Sequence, residues 1–149
     1  MTLSNVVYKS GTADVQSILT HLNACKDNFI PALDKTVDIA SYSKKIAENC
    51  ITFEAWVSNK LAGLIAAYFN DPENTSGFIT NVSVLKIYAG RGFASELLKN
   101  CIDYGVENKF KEISLEVENQ NERAIRLYKK MGFYQSATKN NLLILKKIL

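Results

Sequence analysis

The segment Phe78-Ile79-Thr80-Asn81-Val82-Ser83-Val84-Leu85 has the composition of a long strand. It runs through a short loop holding Gly90 and Gly92 into Phe93, Ala94, Leu97, Leu98, Cys101, Ile102 and Gly105, an apolar ladder at helical spacing. Ile113-Ser114-Leu115-Glu116-Val117-Glu118 then alternates with the period of two that a strand needs. A strand–helix–strand stretch towards the end of the chain implies a parallel pair with a right-handed crossover, the hand in which the helix packs back onto the sheet. Glycines in the turn take positive φ at no steric cost and let backbone approach a bound group. The first amides of the helix have no acceptor within it and lie at the positive end of its dipole. Such a turn can cradle a pyrophosphate, with Arg91 adding charge, or it can serve only as a tight connection. The G-x-G-x-x-G pattern is not met, because Ser95 stands at its third glycine, and the absence of Gly-Lys-Ser/Thr excludes a P-loop.

Around this unit the other elements follow from pattern. Val6 to Lys9 predicts a first strand. Thr12 is placed to cap a helix whose apolar face is Val15, Ile18, Leu19 and Leu22. A loop lies around Asn28-Phe29-Ile30-Pro31, and Asp38 opens a second helix with Ile39, Tyr42 and Ile46 on one side. Thr52 to Val57 and Leu61 to Phe69, joined by Ser58-Asn59-Lys60, read as a hairpin, and Asn70 to Ser76 as a loop. Asn121 begins a last helix with Ala124, Ile125, Tyr128 and Met131 on one stripe, and Gly132 ends it. Phe133-Tyr134 and Leu142 to Leu145 predict two closing strands. The expected fold is one α/β domain over residues 1–149, with a mixed, mostly antiparallel sheet of six or seven strands and about four helices.

Composition removes several function classes. A chain of 149 residues that is 47% hydrophobic and 22% charged can bury a core without disulfides or metal. The charge balance, 18 − 15 = +3, lacks the focused excess of a nucleic-acid binder. No stretch approaches the ~18 apolar residues of a membrane span. Cys25, Cys50 and Cys101 are odd in number and form no C-x-x-C, which points to reduced thiols. His21 is the only histidine, which argues against a His-based metal site. Met1 to Asn5 lacks the charged and apolar blocks of a secretory signal. The expectation is a cytoplasmic protein with no metal and with neither nucleic acid nor membrane as partner.

Two motifs carry a family resemblance. The first, of the form V-x-P-x-x-[QR]-G-x-G-x-[GA], is met at Val84, Gly90, Gly92 and Ala94. The second, L-E-V-x-x-x-N-x-x-A-I-x-L-Y-x-x-x-G-F, is met at Leu115, Glu116, Val117, Asn121, Ala124, Ile125, Leu127, Tyr128, Gly132 and Phe133. Together they cover about Val82 to Phe133, and the chain resembles the GCN5-related N-acetyltransferases. Two positions depart from the pattern. The Gln/Arg at the head of the pyrophosphate loop is Ala89, and the usual proline is Lys86.

The resemblance implies the acyl-CoA N-acyltransferase fold, acetyl-CoA as co-substrate and transfer of an acetyl group to an amine. It implies that the strands Phe78–Leu85 and Ile113–Glu118 splay apart, with pantetheine against the backbone of Val82 and Val84. The pyrophosphate would lie on Ala89, Gly90, Arg91, Gly92, Phe93, Ala94 and Ser95, and Asn121 would both cap its helix and contact the cofactor. Tyr128 would assist the leaving thiolate, and its alternative is an aromatic core residue. Glu116 matches the residue assigned as base in the ribosomal-protein N-terminal acetyltransferases of the family and keeps their twelve-residue spacing to Tyr128. Its alternative is a solvated, outward-facing carboxylate; Glu54 is a second candidate base. Arg123, Arg126, Lys129 and Lys130 form a basic cluster that faces either the CoA phosphates or solvent.

Asn28, Phe29, Tyr68, Thr80 and Asn81 are the candidate acceptor contacts. Their amide and aromatic character suits an amino sugar or a peptide N-terminus. The N-terminal half faintly resembles members that acetylate amino sugars. A non-catalytic acyl-CoA-binding module is the alternative reading, and the apolar run Leu142–Leu145 is compatible with a homodimer.

Overall fold

The computed structural model describes residues 5–73 and 75–149. Residues 1–4, most of the segment read for a signal, and residue 74, inside the expected loop, lie outside them. The strands are β1 (Val6–Ser10), β2 (Ile51–Val57), β3 (Lys60–Tyr68), β4 (Ser76–Val84), β5 (Glu112–Glu118), β6 (Tyr134–Lys139) and β7 (Leu142–Ile148). The helices are α1 (Val15–Cys25), α2 (Ile39–Asn49), α3 (Phe93–Glu107) and α4 (Glu122–Lys130), with short 3-10 turns at Lys26–Asn28, Leu33–Lys35 and Lys86–Tyr88.

The strands form one seven-stranded sheet in the order β1-β2-β3-β4-β5-β7-β6. Every pairing is antiparallel except β4 with β5, the pair joined through α3. The later strand–helix–strand path, β5 to α4 to β6, makes no pair, because β7 lies between β5 and β6.

β3 is buried on both faces, which explains its nearly unbroken apolar run. Leu61, Leu64 and Ala66 face Ile18, Leu22, Ile39 and Ile46 of α1 and α2. Ala62, Ile65 and Ala67 face Leu97, Leu98 and Cys101 of α3. Leu97 and Leu98, each almost wholly buried, hold α3 to the sheet by about 2 kcal/mol apiece. Gly63 lets α3 come close, since a Cβ there would stand 3.2 Å from Leu97 Cδ1.

Two local expectations need correction. α1 is capped by Asp14, whose Oδ1 accepts the Ser17 amide at 2.8 Å, and not by Thr12. Thr12 is held by Glu54 instead, through its amide (2.9 Å to Oε2) and its hydroxyl. The buried stripe of α1 is Ile18, His21, Leu22 and Cys25, while Val15 is exposed. Asp38 does cap α2, accepting the Ser41 amide, and Gly132 follows α4 with φ +98°. Among the described residues no helix is long and apolar enough to cross a membrane.

Candidate active site

β4 and β5 pair only from Ser76↔Glu112 to Ile79↔Leu115. Beyond that point the two strands part, and a cleft of about 780 Å³ opens between them. Thr80 to Val84 line one wall and Glu116 to Glu118 the other. The splay begins at a bulge. Ala66 pairs with Asn81 but Ala67 with Ile79, so Thr80 is the extra residue. A bulged residue loses its ladder partner, and the Tyr42 hydroxyl of α2 supplies one by donating to the Thr80 carbonyl at 2.7 Å.

One end of the cleft is built from backbone. Gly90 and Gly92 hold φ of +76° and +83°, and Gly92 is the N-cap of α3 without any side-chain cap. The first helical bond runs from the Glu96 amide to the Gly92 carbonyl at 3.1 Å. The amides of Phe93, Ala94 and Ser95 therefore have no partner within the helix. Ala89, Gly90, Gly92, Phe93, Ala94 and Ser95 all line the cleft, whereas Arg91 is exposed and does not.

Tyr128 and Asn121 reach the cleft from α4. The Tyr128 ring is 7% exposed and packs edge-on against Phe133 at 6.0 Å. Its hydroxyl lines the cleft without a hydrogen-bond partner among the described residues, and burial raises its pKa well above the ordinary 10.0. It stays a proton donor at any working pH. Asn121 caps α4 with its Oδ1 on the Ala124 amide, 3.3 Å away, and also lines the cleft. Glu116 projects from β5 on the face opposite Ile113, Leu115 and Val117; its side chain is exposed and borders the cleft. The outward geometry and the position at the cleft hold together.

Glu54, the second candidate base, lies away from the cleft and is fully buried. Its carboxylate accepts from the amides of Thr12 and Ala13, both threonine hydroxyls of Thr12 and Thr52, and Trp56 Nε1. Burial pushes its pKa up, but these donors outweigh it and hold the carboxyl below its ordinary value. With every lone pair engaged, it is a structural clamp and no base. Among the acceptor-side candidates, Asn28, Phe29, Thr80 and Asn81 line the cleft with Ile30, and Tyr68 does not.

The sequence reading missed a polar group behind Asn81. His21 Nδ1 lies 3.0 Å from the Leu61 carbonyl and Nε2 lies 2.8 Å from Ser83 Oγ, which in turn lies 2.8 Å from the Asn81 amide. The other end of the Asn81 amide is buried and unpartnered. The available signal was His21 on the Ile18–Leu22 face of α1, where a histidine needs buried acceptors. Of the basic cluster on α4, read as facing either the CoA phosphates or solvent, Arg123 lines the cleft.

The acetyltransferase (GNAT) family model matches residues 15–133. The chain belongs to that family. It is 36% identical over 87 residues to the N-alpha-acetyltransferase MAK3 of Arabidopsis thaliana, covering 58% of this chain and 46% of the relative. The chain spans less than half the length of the curated relatives it matches. Among solved structures, the PaiA N-acetyltransferase of Thermoplasma acidophilum in complex with coenzyme A superposes with a TM-score of 0.77 at 15% identity, covering 96% of this chain and 99% of that one. The ribosomal-protein-S18-alanine N-acetyltransferase of Escherichia coli gives 0.77 at 18% identity, covering 96% and 93%. The GNAT fold is thus common to all of them.

Proposed function

We propose that this GNAT chain uses acetyl-CoA to acetylate a primary amine by direct attack. The observation that carries the reading is the splay beyond Ile79 and Leu115, with unbonded α3 amides at one end and an unpartnered Tyr128 hydroxyl in its wall. The residues fit the co-substrate. The glycine turn offers amides to the pyrophosphate, Val82 and Val84 offer strand backbone to the pantetheine arm, and Asn121 stands between them.

Acetyl-CoA supplies an activated thioester. The amine nitrogen must be neutral to attack the acyl carbon, and a free amine is mostly protonated at neutral pH. Glu116 takes that proton, directly or through water, before the C–N bond forms. The proton that the nitrogen still carries after attack passes to the leaving thiolate or to solvent as the amide forms. The strand amides of β4 steady the charge that grows on the acyl oxygen. As the C–S bond breaks, the Tyr128 hydroxyl hydrogen-bonds the departing sulfur. Its raised pKa makes full proton transfer to a thiolate uphill, so it acts by donating a hydrogen bond. On the acceptor side, Asn28, Phe29, Thr80 and Asn81 line the part of the cleft that holds the amine-bearing molecule. A peptide N-terminus is favoured because the MAK3 relative is named for that chemistry. The three unpaired thiols support a reducing, cytoplasmic location.

CoA release should be followed across peptide N-termini, amino sugars, polyamines and amino acids, with Tyr128→Phe beside the native chain. Release with one class, lost in the variant, supports the enzyme and names its acceptor. Silence with every amine while acetyl-CoA still binds would replace this reading with a non-catalytic acyl-CoA-binding module.

A further inference from the structure

We infer that Arg123 supplies the side-chain cation of the pyrophosphate cradle, a contact that the glycine loop itself lacks. The inference rests on the acetyl-CoA reading of the cleft. The polar residue at the head of the loop is replaced by Ala89, whose methyl group can give no hydrogen bond. Arg91, the cation nearest in sequence, does not line the cleft.

Arg123 comes to the loop from the first turn of α4. A methyl group built on Gly90 would lie 3.5 Å from its Nη2, so the guanidinium stands over the loop backbone. Arg123 lines the cleft together with Gly90, Gly92 and Ala94. It is not held there by a carboxylate. The ion pairs among the described residues are Lys44–Glu48 and Lys146–Glu112, and neither Glu116 nor Glu118 comes within bonding range of it. An unneutralised guanidinium beside unbonded amides is suited to a diphosphate, whose paired oxygens match its fork. Arg126, three residues on, lies on the same side of α4 but outside the cleft. Lys86 also lines the cleft, but a Cβ on Gly90 would meet Arg123 and no atom of Lys86 within 4 Å, so the assignment goes to Arg123.

Titration calorimetry of the whole chain with CoA and with dephospho-CoA tests this. The second ligand keeps the diphosphate and lacks the 3′-phosphate. Arg123→Ala should weaken both ligands by about ten-fold, the size of one charge-assisted contact at an accessible site. The loss should shrink as salt is raised. Arg123→Lys should recover only part, because a point charge lacks the fork. Ala89→Arg placed in the Arg123→Ala background should restore binding from the loop side. Unchanged CoA affinity in Arg123→Ala overturns the inference and leaves the acetyl-CoA reading standing. A loss seen with CoA and absent with dephospho-CoA overturns it as well, moving the contact to the 3′-phosphate. Failure of the native chain to bind CoA would overturn both readings.

Discussion

His21 Nε2 lies 2.8 Å from Ser83 Oγ, and this contact fastens α1 to the strand that forms one wall of the cleft. The Leu61 carbonyl can only accept, so Nδ1 of His21 carries a proton. Burial lowers the His21 pKa from 6.5 to about 4, against two hydrogen bonds that raise it. Below pH 6.5 the unfolded chain therefore binds a proton that the folded chain refuses. Stability should be level above that pH and fall by roughly 3 kcal/mol on the way to pH 4. Urea unfolding at a series of pH values measures it. In His21→Asn, which has nothing to titrate there, the slope between pH 6.5 and 4 should disappear; if it persists, other groups cause it.

Glu54 governs a lower window. Its carboxyl is held below the ordinary carboxylate range by five donors, so the stability it contributes is full above the unfolded pKa and is lost as pH falls through the folded one. Glu54→Gln puts an amide NH2 against groups that are themselves donors. We expect it to cost about 2 kcal/mol or more at neutral pH. Activity per folded molecule should be unchanged, since Glu54 is outside the cleft. Loss of turnover at full folding would restore Glu54 as a catalytic candidate.

The period of the pattern made most of the fold legible. Apolar residues at three and four marked the helices, and alternation marked β5, because each of those elements buries one face. The splay was not readable from spacing, and came only through family resemblance, since the parting of β4 and β5 depends on a bulge at Thr80 that leaves no mark in an unbroken strand pattern. Capping was misread at Thr12 because two side chains compete there and a distant partner, Glu54 on β2, decides the outcome. Arg91 was named in the loop while Arg123 was left open between the CoA phosphates and solvent. Nearness in sequence favours the loop's own cation, while the fold brings α4 against Gly90.

Gly92 offers a test of the loop with a built-in control. Its φ is +83° and a Cβ there would meet nothing within 4 Å, so Gly92→Val is strained in backbone but not crowded. Gly11, at +72° and equally open, has the same conformational problem away from the cleft. Each valine should cost about 1–2 kcal/mol of stability. Only Gly92→Val should weaken acetyl-CoA, by more than about ten-fold, because its side chain would occupy the place of the pyrophosphate against the α3 amides. Calorimetry on the two variants decides it. Equal acetyl-CoA affinity in both would remove the loop from the binding site.

Tyr128→Phe separates catalysis from packing. The ring keeps its contact with Phe133, and the lost hydroxyl has no protein partner to strand, so folding should be untouched. If the hydroxyl acts only as sulfur departs, turnover should fall by about 10- to 100-fold with acetyl-CoA affinity unchanged. Equal losses in turnover and affinity would make Tyr128 a packing residue. Glu116→Gln should behave differently with pH. A base that removes the amine's proton matters most where the amine is protonated, so the deficit should be largest near neutrality and shrink as pH approaches the amine's pKa. A deficit that stays constant with pH would leave Glu116 as a solvated carboxylate at the rim of the cleft.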